Sequence, residues 1–229
     1  MTPPLVALIT AGSAGLGAAT ARLFARNGIR LVINYDSNGQ RAYELVEELT
    51  NISPLTAAST DREDNYVALK ADLAKKDQIS QLVDNTIFIM GKLDIVFSNG
   101  AWIRLRDIND LDDNVNEEDW DTCFNMNVKS HLWLMHAAKP YLDQTEGVFI
   151  TTACLAGVIV SASSLAYSVT KAAQIHLAKG LAQIAAPKIR VNTVSPGLML
   201  TDVAEQVLCF VKSKSVTGVN AIIDGGMAL

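Results

Sequence analysis

The sequence has few cysteines, no excess of positive charge and no membrane-length run of purely apolar residues. Its three cysteines, Cys123, Cys154 and Cys209, have no motif spacing, which argues against a disulfide framework and for a reducing compartment. The net charge of -5 provides no basic surface for a phosphate backbone, so we expect no nucleic-acid partner. The uncharged stretch 147–170 is interrupted by hydroxyl-bearing residues, which favours a buried strand and a helix start over a membrane span.

Two further absences complete these exclusions. No basic segment precedes the short apolar stretch at the N-terminus, so we expect no signal peptide. No cluster of cysteine and histidine has the spacing of metal ligands, so we expect no metal site. Together these observations predict a cytoplasmic protein that does not enter a membrane.

The pattern along the chain is an alternation of short apolar runs and longer helical segments. The chain has 229 residues, of which 49% are hydrophobic and 19% charged, as is typical of a packed globular protein. Most short runs are apolar at every position, which indicates strands covered on both faces. The predicted strands are 5–10, 31–34, 67–70, 93–98, 147–152, 190–195 and 221–223. The predicted helices are 15–27, 40–49, 77–90, 118–138, 164–184 and 202–212.

This alternation predicts the fold class. Strands and helices that alternate without a linker or repeat favour one α/β domain over residues 1–229. We predict a doubly wound Rossmann-type domain, with a seven-stranded parallel sheet and helices on both faces. The polar stretches 50–65 and 107–116 are predicted to be surface loops.

The turn after the first predicted strand is built from small residues. The segment 8–17, Leu-Ile-Thr-Ala-Gly-Ser-Ala-Gly-Leu-Gly, leads from that strand into the first helix. Small residues let the backbone approach a pyrophosphate, and the helix N-terminus offers free N–H groups and a positive dipole end. This context predicts a dinucleotide site, although a tight turn without a ligand is the alternative. The expected cofactor-binding residues here are Thr10, Gly12, Ser13, Gly15, Leu16 and Gly17.

An acidic residue follows the second predicted strand. Asp36 lies nineteen residues after Gly17, where a carboxylate hydrogen-bonds the adenosine ribose and repels a 2′-phosphate. Ser37 is its neighbour and is not basic, whereas Arg41 is the nearest cation and offers a compensating charge. We therefore expect NAD rather than NADP, with Asp36 and Ser37 at the ribose. A solvated loop aspartate is the alternative.

Six motifs follow one another in an order that resembles the short-chain dehydrogenases/reductases. Thr10, Gly15 and Gly17 match the family's Thr-Gly-x-x-x-Gly-x-Gly turn, with Ala11 where glycine is usual. The other five matches are Asp72-Leu73 after the third strand, Ser98-Asn99-Gly100-Ala101 as a permuted Asn-Asn-Ala-Gly after the fourth, Asn127 in a helix, Tyr167 to Lys171 as Tyr-x-x-x-Lys, and Pro196-Gly197 followed by Thr201. The resemblance extends from Leu5 to the Asp224-Gly225-Gly226 end. It implies that further cofactor contacts come from Asp72, Leu73, Asn99, Gly100, Tyr167, Lys171, Pro196, Gly197 and Thr201.

The pair Tyr167 and Lys171 carries the expected chemistry. Positions i and i+4 share one helical face, and an ammonium beside a phenol lowers the pKa of the phenol. Tyr167 is thereby predicted to act as general acid or base on an alcohol or ketone, while a nicotinamide cofactor carries the hydride. The resemblance implies that Lys171 holds the nicotinamide ribose and that Asn127 anchors a water that conducts protons. An ordinary amphipathic tyrosine with a surface lysine is the alternative.

Two departures from the family pattern put turnover in doubt. The family's catalytic serine precedes the tyrosine by thirteen residues, and that position holds Cys154, whose thiol is a weak hydrogen-bond donor. Cys154 is alternatively a redox-sensitive thiol or a small buried residue. The mobile lid that usually follows Pro196-Gly197 is missing, so either the pocket is open or a mobile segment is absent near Thr201. The second hypothesis is therefore a dinucleotide-binding protein with weak or no redox turnover, serving as a sensor, scaffold or non-redox catalyst.

The sequence gives only weak signals for the substrate and for the assembly of subunits. Trp102 and Ile103 suggest an apolar secondary alcohol or ketone, and Arg104 and Arg106 either meet an anionic group or belong to the surface rim. The pattern loosely resembles reductases of fungal-type secondary metabolism. The resemblance also implies a homodimer or homotetramer formed through the two long helices, with Trp133, Leu134, Ile175 and Leu177 at the interface. Complete burial of these side chains within one subunit is the alternative.

Overall fold

Seven parallel strands form one sheet, as the sequence predicts. The computed structural model describes residues 3–55, 64–160, 163–197 and 202–228. The strands are β1 (Val6–Ile9), β2 (Arg30–Tyr35), β3 (Tyr66–Lys70), β4 (Ile95–Ser98), β5 (Val148–Thr152), β6 (Arg190–Pro196) and β7 (Asn220–Ile223). All seven predicted strands are present, with ends that differ by at most two residues. They lie side by side in the order β3-β2-β1-β4-β5-β6-β7.

The helices cover both faces of this sheet. They are α1 (Gly15–Arg26), α2 (Gly39–Ile52), α3 (Lys76–Met90), α4 (Glu117–Phe124), α5 (Ser130–Thr145), α6 (Leu165–Ala185) and α7 (Val203–Lys212). Alternate residues of β1 serve two separate cores. Ala7 and Ile9 pack in the core shared with α1, α2 and α7, and Val6 and Leu8 pack in the core shared with α3, α5 and α6. This two-sided burial explains why the strands are apolar at every position.

Two predicted helix boundaries are wrong. Helix α2 continues to Ile52, because that side chain packs against the first core, so the predicted loop 50–65 begins three residues later. The helix predicted over 118–138 consists of α4, a π-helical turn at Asn125–Lys129, and α5, which extends to Thr145. Pro140 lies inside α5, and the buried Leu142 beyond it keeps that helix on the second core.

The long helices bury most of the side chains that we assigned to a subunit interface. Leu134 is buried within the second core, and Trp133 and Leu177 pack against it, which favours burial within one subunit for these three. Leu132, Val169 and Ile184 are the exposed large apolar residues of α5 and α6. Among the described helices, none combines the length and apolarity that a membrane span requires.

The topology places a crevice at the carboxyl ends of β1 and β4. These two strands are neighbours, and the chain winds outward from them in opposite directions, to β2 and to β5. Such a switch point is where open α/β sheets bind ligands. Thr10 follows β1 and Asn99 follows β4, so the predicted cofactor residues lie at this crevice.

Strand β2 holds the first turn in a strained shape. Asn34 accepts a hydrogen bond from the Ala11 N–H at 3.1 Å, and its own carbonyl accepts from the Gly12 N–H at 2.9 Å. Ala11 has a φ of 47°, in the left-handed region that costs an L-residue with a Cβ atom roughly 1–2 kcal/mol. Here alanine occupies a backbone conformation suited to glycine.

We predict that Ala11→Gly stabilises the protein. Glycine adopts the left-handed conformation without a Cβ penalty, so the free energy of unfolding rises by about 1 kcal/mol. The matched control is Ala19→Gly in α1, an exposed helical alanine, where glycine lowers that free energy by about 0.5–1 kcal/mol. Urea unfolding measures both variants, and equal destabilisation by the two substitutions would contradict the strain at Ala11.

Candidate active site

The first turn forms a cradle that admits only glycine at two positions. A Cβ at Gly17 would lie 2.6 Å from the Ala11 carbonyl oxygen, and one at Gly12 would lie 2.9 Å from that of Ile9. Gly15 has a φ of 52° and begins α1. No side chain caps the N-terminal turn of α1, so its N–H groups and dipole face the crevice. This cradle fits the diphosphate of a dinucleotide.

Two residues, the buried Thr10 and the half-buried Asn99, brace the cradle against the strands. The Thr10 hydroxyl donates to the Phe97 carbonyl at 3.4 Å and accepts from the Asn99 N–H at 2.9 Å. The Asn99 side-chain oxygen accepts from the Thr152 hydroxyl at 2.9 Å. These contacts link the ends of β1, β4 and β5, so Thr10 and Asn99 fix the relative position of the cofactor turn and the end of β5.

The expected adenosine end lies beside α2. Asp36 and Ser37 are exposed at the end of β2, and the Arg41 guanidinium donates to the Ser13 hydroxyl at 3.4 Å. An open cavity of about 390 Å³ separates the first turn from α2 and is lined in part by Ser13, Arg41 and Glu44. Of the two charged groups at the expected ribose end, Arg41 lines this cavity and Asp36 does not.

The remaining expected cofactor residues are divided between the two ends of the crevice. Asp72 accepts a hydrogen bond from the Ala74 N–H at 2.8 Å, and Leu73 packs so closely that a Cβ at Gly100 would lie 2.4 Å from it. Pro196 ends β6, and a Cβ at Gly197 would lie 2.9 Å from the Cβ of Asp224. Thr201 and the expected lid position lie outside the described residues. Leu16 is buried in the first turn of α1.

Helix α6 brings the expected catalytic residues together. Tyr167 and Lys171 lie one turn apart on it, and the turn that follows β5 packs tightly against its backbone. A Cβ at Gly157 would lie 2.6 Å from the Lys171 carbonyl carbon, so only glycine allows this approach. The approach sets the half-buried Cys154 close to Tyr167, where it acts on the pKa of the phenol.

The pKa of Tyr167 beside Lys171 differs from the sequence-based expectation. We expected Lys171 to lower the pKa of Tyr167, but burial raises the pKa of the Tyr167 phenol above its ordinary value, and Cys154 raises it further. The Lys171 ammonium donates to the Thr152 carbonyl and to Gln174 Oε1, both at 2.9 Å. It lies 5.6 Å from the centroid of the Tyr167 ring, and burial lowers the pKa of Lys171 to about 8.

Asn127 lies fully buried in the π-helical turn between α4 and α5. Its side chain accepts from the Trp102 N–H at 2.8 Å and donates to the Trp102 carbonyl at 3.0 Å and to Thr170 Oγ1 at 3.1 Å. Such π-helical insertions occur frequently at functional sites. The side chain thus ties the segment after β4 to α6, and the water-anchoring role stays a prediction.

The two arginines that could contact a substrate, Arg104 and Arg106, differ in how firmly ion pairs hold them. Arg106 forms ion pairs with the buried Asp119 at 2.8 Å and with Asp113 at 3.1 Å, so it holds the segment after β4 and belongs to the framework. Arg104 is half exposed, lies 5.6 Å from the Trp102 ring centroid and is 3.5 Å from Asp119. Of the pair, Arg104 is the one whose charge still faces solvent.

Gln174 and His131 were not among the expected site residues. Gln174 is buried one turn beyond Lys171 and bonds to it, and His131 is buried on α5 with its Nδ1 2.6 Å from the Ser98 hydroxyl. The sequence contained one signal for Gln174: it lies three residues after Lys171, as a polar residue on the buried face of a helix. In the described parts of the chain, no group of acidic, histidine or cysteine side chains forms a metal site.

Comparison with known proteins agrees with the fold and the motifs. The family model described as short chain dehydrogenase matches residues 5–209. A short-chain dehydrogenase/reductase of Pestalotiopsis microspora is 31% identical over 203 residues, which cover 88% of this chain and 71% of that protein. Secoisolariciresinol dehydrogenase of Forsythia intermedia is 33% identical over 193 residues, covering 83% of this chain and 64% of that protein.

Solved structures give the same fold. The crystal structure of a short-chain dehydrogenase/reductase from Burkholderia xenovorans superposes with a TM-score of 0.87 at 21% identity, covering 100% of this chain and 99% of that one. A blue fluorescent protein from a metagenomic library, in complex with NADPH, has a TM-score of 0.85 at 24% identity, with 99% of each chain covered. Since the family model spans most of the sequence, the chain belongs to the short-chain dehydrogenase/reductase family.

Proposed function

We propose that the protein transfers a hydride between a nicotinamide cofactor and a secondary alcohol or ketone, with Tyr167 as general acid/base. The observation that carries this proposal is the meeting of Tyr167, Lys171 and Cys154 beside the crevice that holds the glycine cradle. Family membership supports the general class, an NAD(P)-dependent oxidoreductase. Relatives named for hydroxynaphthalene, secoisolariciresinol and dihydrobenzenediol support a small-molecule substrate.

The protonated Tyr167 phenol can donate a proton to the substrate. When bound, the nicotinamide supplies or accepts the hydride. The raised pKa keeps the Tyr167 phenol protonated at neutral pH, so it is ready to give a proton to a carbonyl oxygen. Lys171 sits behind it with one N–H that is not bonded to Thr152 or Gln174, and this N–H is available to a ribose hydroxyl.

Cys154 occupies the position from which a hydroxyl would stabilise the substrate oxygen. A thiol is a weak donor, and losing one good donor to a developing oxyanion costs about 10²–10³ in rate. This observation favours slow turnover and supports the second candidate, a dinucleotide-binding protein without redox turnover. The two candidates share the cofactor site and differ only in the chemical step.

The ribose end favours NAD over NADP. Asp36 is exposed at the end of β2, where its carboxylate repels a 2′-phosphate. Arg41 opposes this preference, with its guanidinium held at the first turn by a 3.4 Å hydrogen bond to the Ser13 hydroxyl. The rim of the substrate side exposes Ile103, Leu105 and the half-exposed Arg104, which suits an apolar alcohol or ketone.

We predict that Tyr167→Phe abolishes turnover and leaves cofactor binding intact. The probe is reduction of benzil, an apolar aromatic diketone, followed by NADH absorbance. Loss of the proton donor lowers kcat/KM by about 10²–10⁴-fold, while calorimetry gives an unchanged NADH affinity. The control is Tyr141→Phe on α5, away from the crevice. Full activity in Tyr167→Phe would contradict the assigned role, and NADH binding without wild-type turnover on a panel of ketones would favour the second candidate.

We predict that Cys154→Ser increases the rate of the same reaction. A serine hydroxyl donates a stronger hydrogen bond to the substrate oxygen, so kcat rises by about tenfold or more. Cys209→Ser, on the exposed face of α7, is the matched control and leaves kcat unchanged. A Cys154→Ser variant that binds NADH normally and shows no gain would contradict the idea that the thiol limits the rate.

A further inference from the structure

Four polar side chains lie buried beneath the candidate active site, each at most 2% exposed: Ser98, His131, Thr151 and Gln174. We refer to them as the buried polar network. They come from four elements, namely β4, α5, β5 and α6. Burying polar groups costs free energy unless each finds a hydrogen-bond partner, so their assembly in one place needs a physical reason.

The network ends on Lys171. Gln174 Oε1 accepts from Lys171 Nζ at 2.9 Å, and Gln174 Nε2 donates to the Thr151 hydroxyl and, at 3.0 Å, to the Thr152 carbonyl. The Thr151 and Ser98 hydroxyl oxygens lie 3.3 Å and 2.6 Å from His131 Nδ1. Every member is thus connected to the ammonium through hydrogen bonds.

The ammonium sets the direction of the bonds that Gln174 makes. A lysine ammonium only donates, so Gln174 must accept with its oxygen and donate with its nitrogen. The Thr151 hydroxyl accepts from Gln174 and lies within hydrogen-bond distance of His131 Nδ1. Burial, together with the charge of Lys171, lowers the pKa of His131 to about 3, so its ring is neutral.

This arrangement orients the lysine and does not conduct protons. A glutamine amide neither gains nor loses a proton near neutral pH, so Gln174 interrupts any proton path between Lys171 and His131. Gln174 and the Thr152 carbonyl occupy two of the three ammonium N–H groups. The first two bonds fix the rotation of the ammonium about the end of its side chain. They therefore also fix the direction of the third N–H group.

The Lys171 ammonium is a buried cation held by neutral groups. Among the described residues no carboxylate forms an ion pair with it, and the titratable groups that act on it are Cys154 and Cys123, with His131 and Tyr167 also facing it. A buried charge without a counter-charge depends on its hydrogen-bond acceptors. Gln174 is the one side chain that provides such an acceptor in the described structure.

We propose that Gln174 is a positioning residue, which holds the Lys171 ammonium from behind while Thr151, His131 and Ser98 orient the Gln174 amide. The effect of Gln174 on activity rests on the proposed oxidoreductase function, whereas its effect on the pKa of Lys171 does not. Removing the acceptor disfavours the charged form of Lys171, so the lysine loses its proton at a lower pH. Since the charge of Lys171 is present below its pKa and lost above it, activity then declines at a lower pH.

The direct test is NMR titration of the protein with isotope-labelled lysine. The Lys171 signal is identified by its disappearance in Lys171→Met. We expect Gln174→Met, which retains the side-chain volume, to lower the titration midpoint of Lys171 by about one pH unit or more. Gln174→Glu, which keeps an acceptor and adds negative charge, raises the midpoint above the wild-type value. Gln183→Met, at an exposed position of the same helix, leaves it unchanged.

The kinetic test is the pH dependence of kcat/KM for benzil reduction by NADH. In Gln174→Met the alkaline limb moves to lower pH by the same interval as the NMR midpoint, and KM for benzil is unchanged.

If Gln174→Met fails to fold, the isosteric Thr151→Val replaces it and shifts the midpoint in the same direction by less. An unchanged midpoint overturns the proposal, as does an equal loss of activity at every pH. A wild type that does not reduce benzil bears on the proposed function alone, because the NMR titration still decides the role of Gln174.

Discussion

The burial of one charged group, the Lys171 ammonium, is the constraint on which the site depends. This cation lies at the meeting point of β5 and α6, where the Thr152 carbonyl and Gln174 accept its hydrogen bonds. The close approach at Gly157 keeps α6 near enough to the strand for both bonds to form. The same approach places Cys154 close to Tyr167, so one packing contact brings three of the expected catalytic residues together.

The cofactor side depends on backbone proximity more than on side-chain chemistry. Gly12 and Gly17 are required because a Cβ at either position would meet a carbonyl oxygen below 3.0 Å. Thr10 and Asn99 then connect this cradle to the strand that bears Thr152. The cradle and the buried lysine are thus joined by a short path of hydrogen bonds, which fixes the distance between the two ends of a dinucleotide site.

The fold could be predicted from the sequence because each strand and helix has its own pattern of apolar residues over a short stretch of the chain. Continuous apolar strands and periodic helices identify the parallel sheet. The helix ends at Ile52 and Thr145 and the π-helical turn at Asn125–Lys129 differ from the prediction, since they depend on packing. The state of Tyr167 could not be predicted, because spacing says nothing about desolvation or about the competing acceptors of Lys171. Gln174 and His131 escaped notice for the same reason: their role arises from contacts between elements distant in sequence.

The most direct test of the account is parallel calorimetric titration of the purified wild-type protein with NADH and NADPH. The account predicts that both bind at one site per chain and that NADH binds more tightly, because Asp36 stands where a 2′-phosphate would lie. A tighter NADPH complex would overturn the role assigned to Asp36 and leave the cradle intact. Binding of neither nucleotide would contradict the central claim that this crevice is a dinucleotide site.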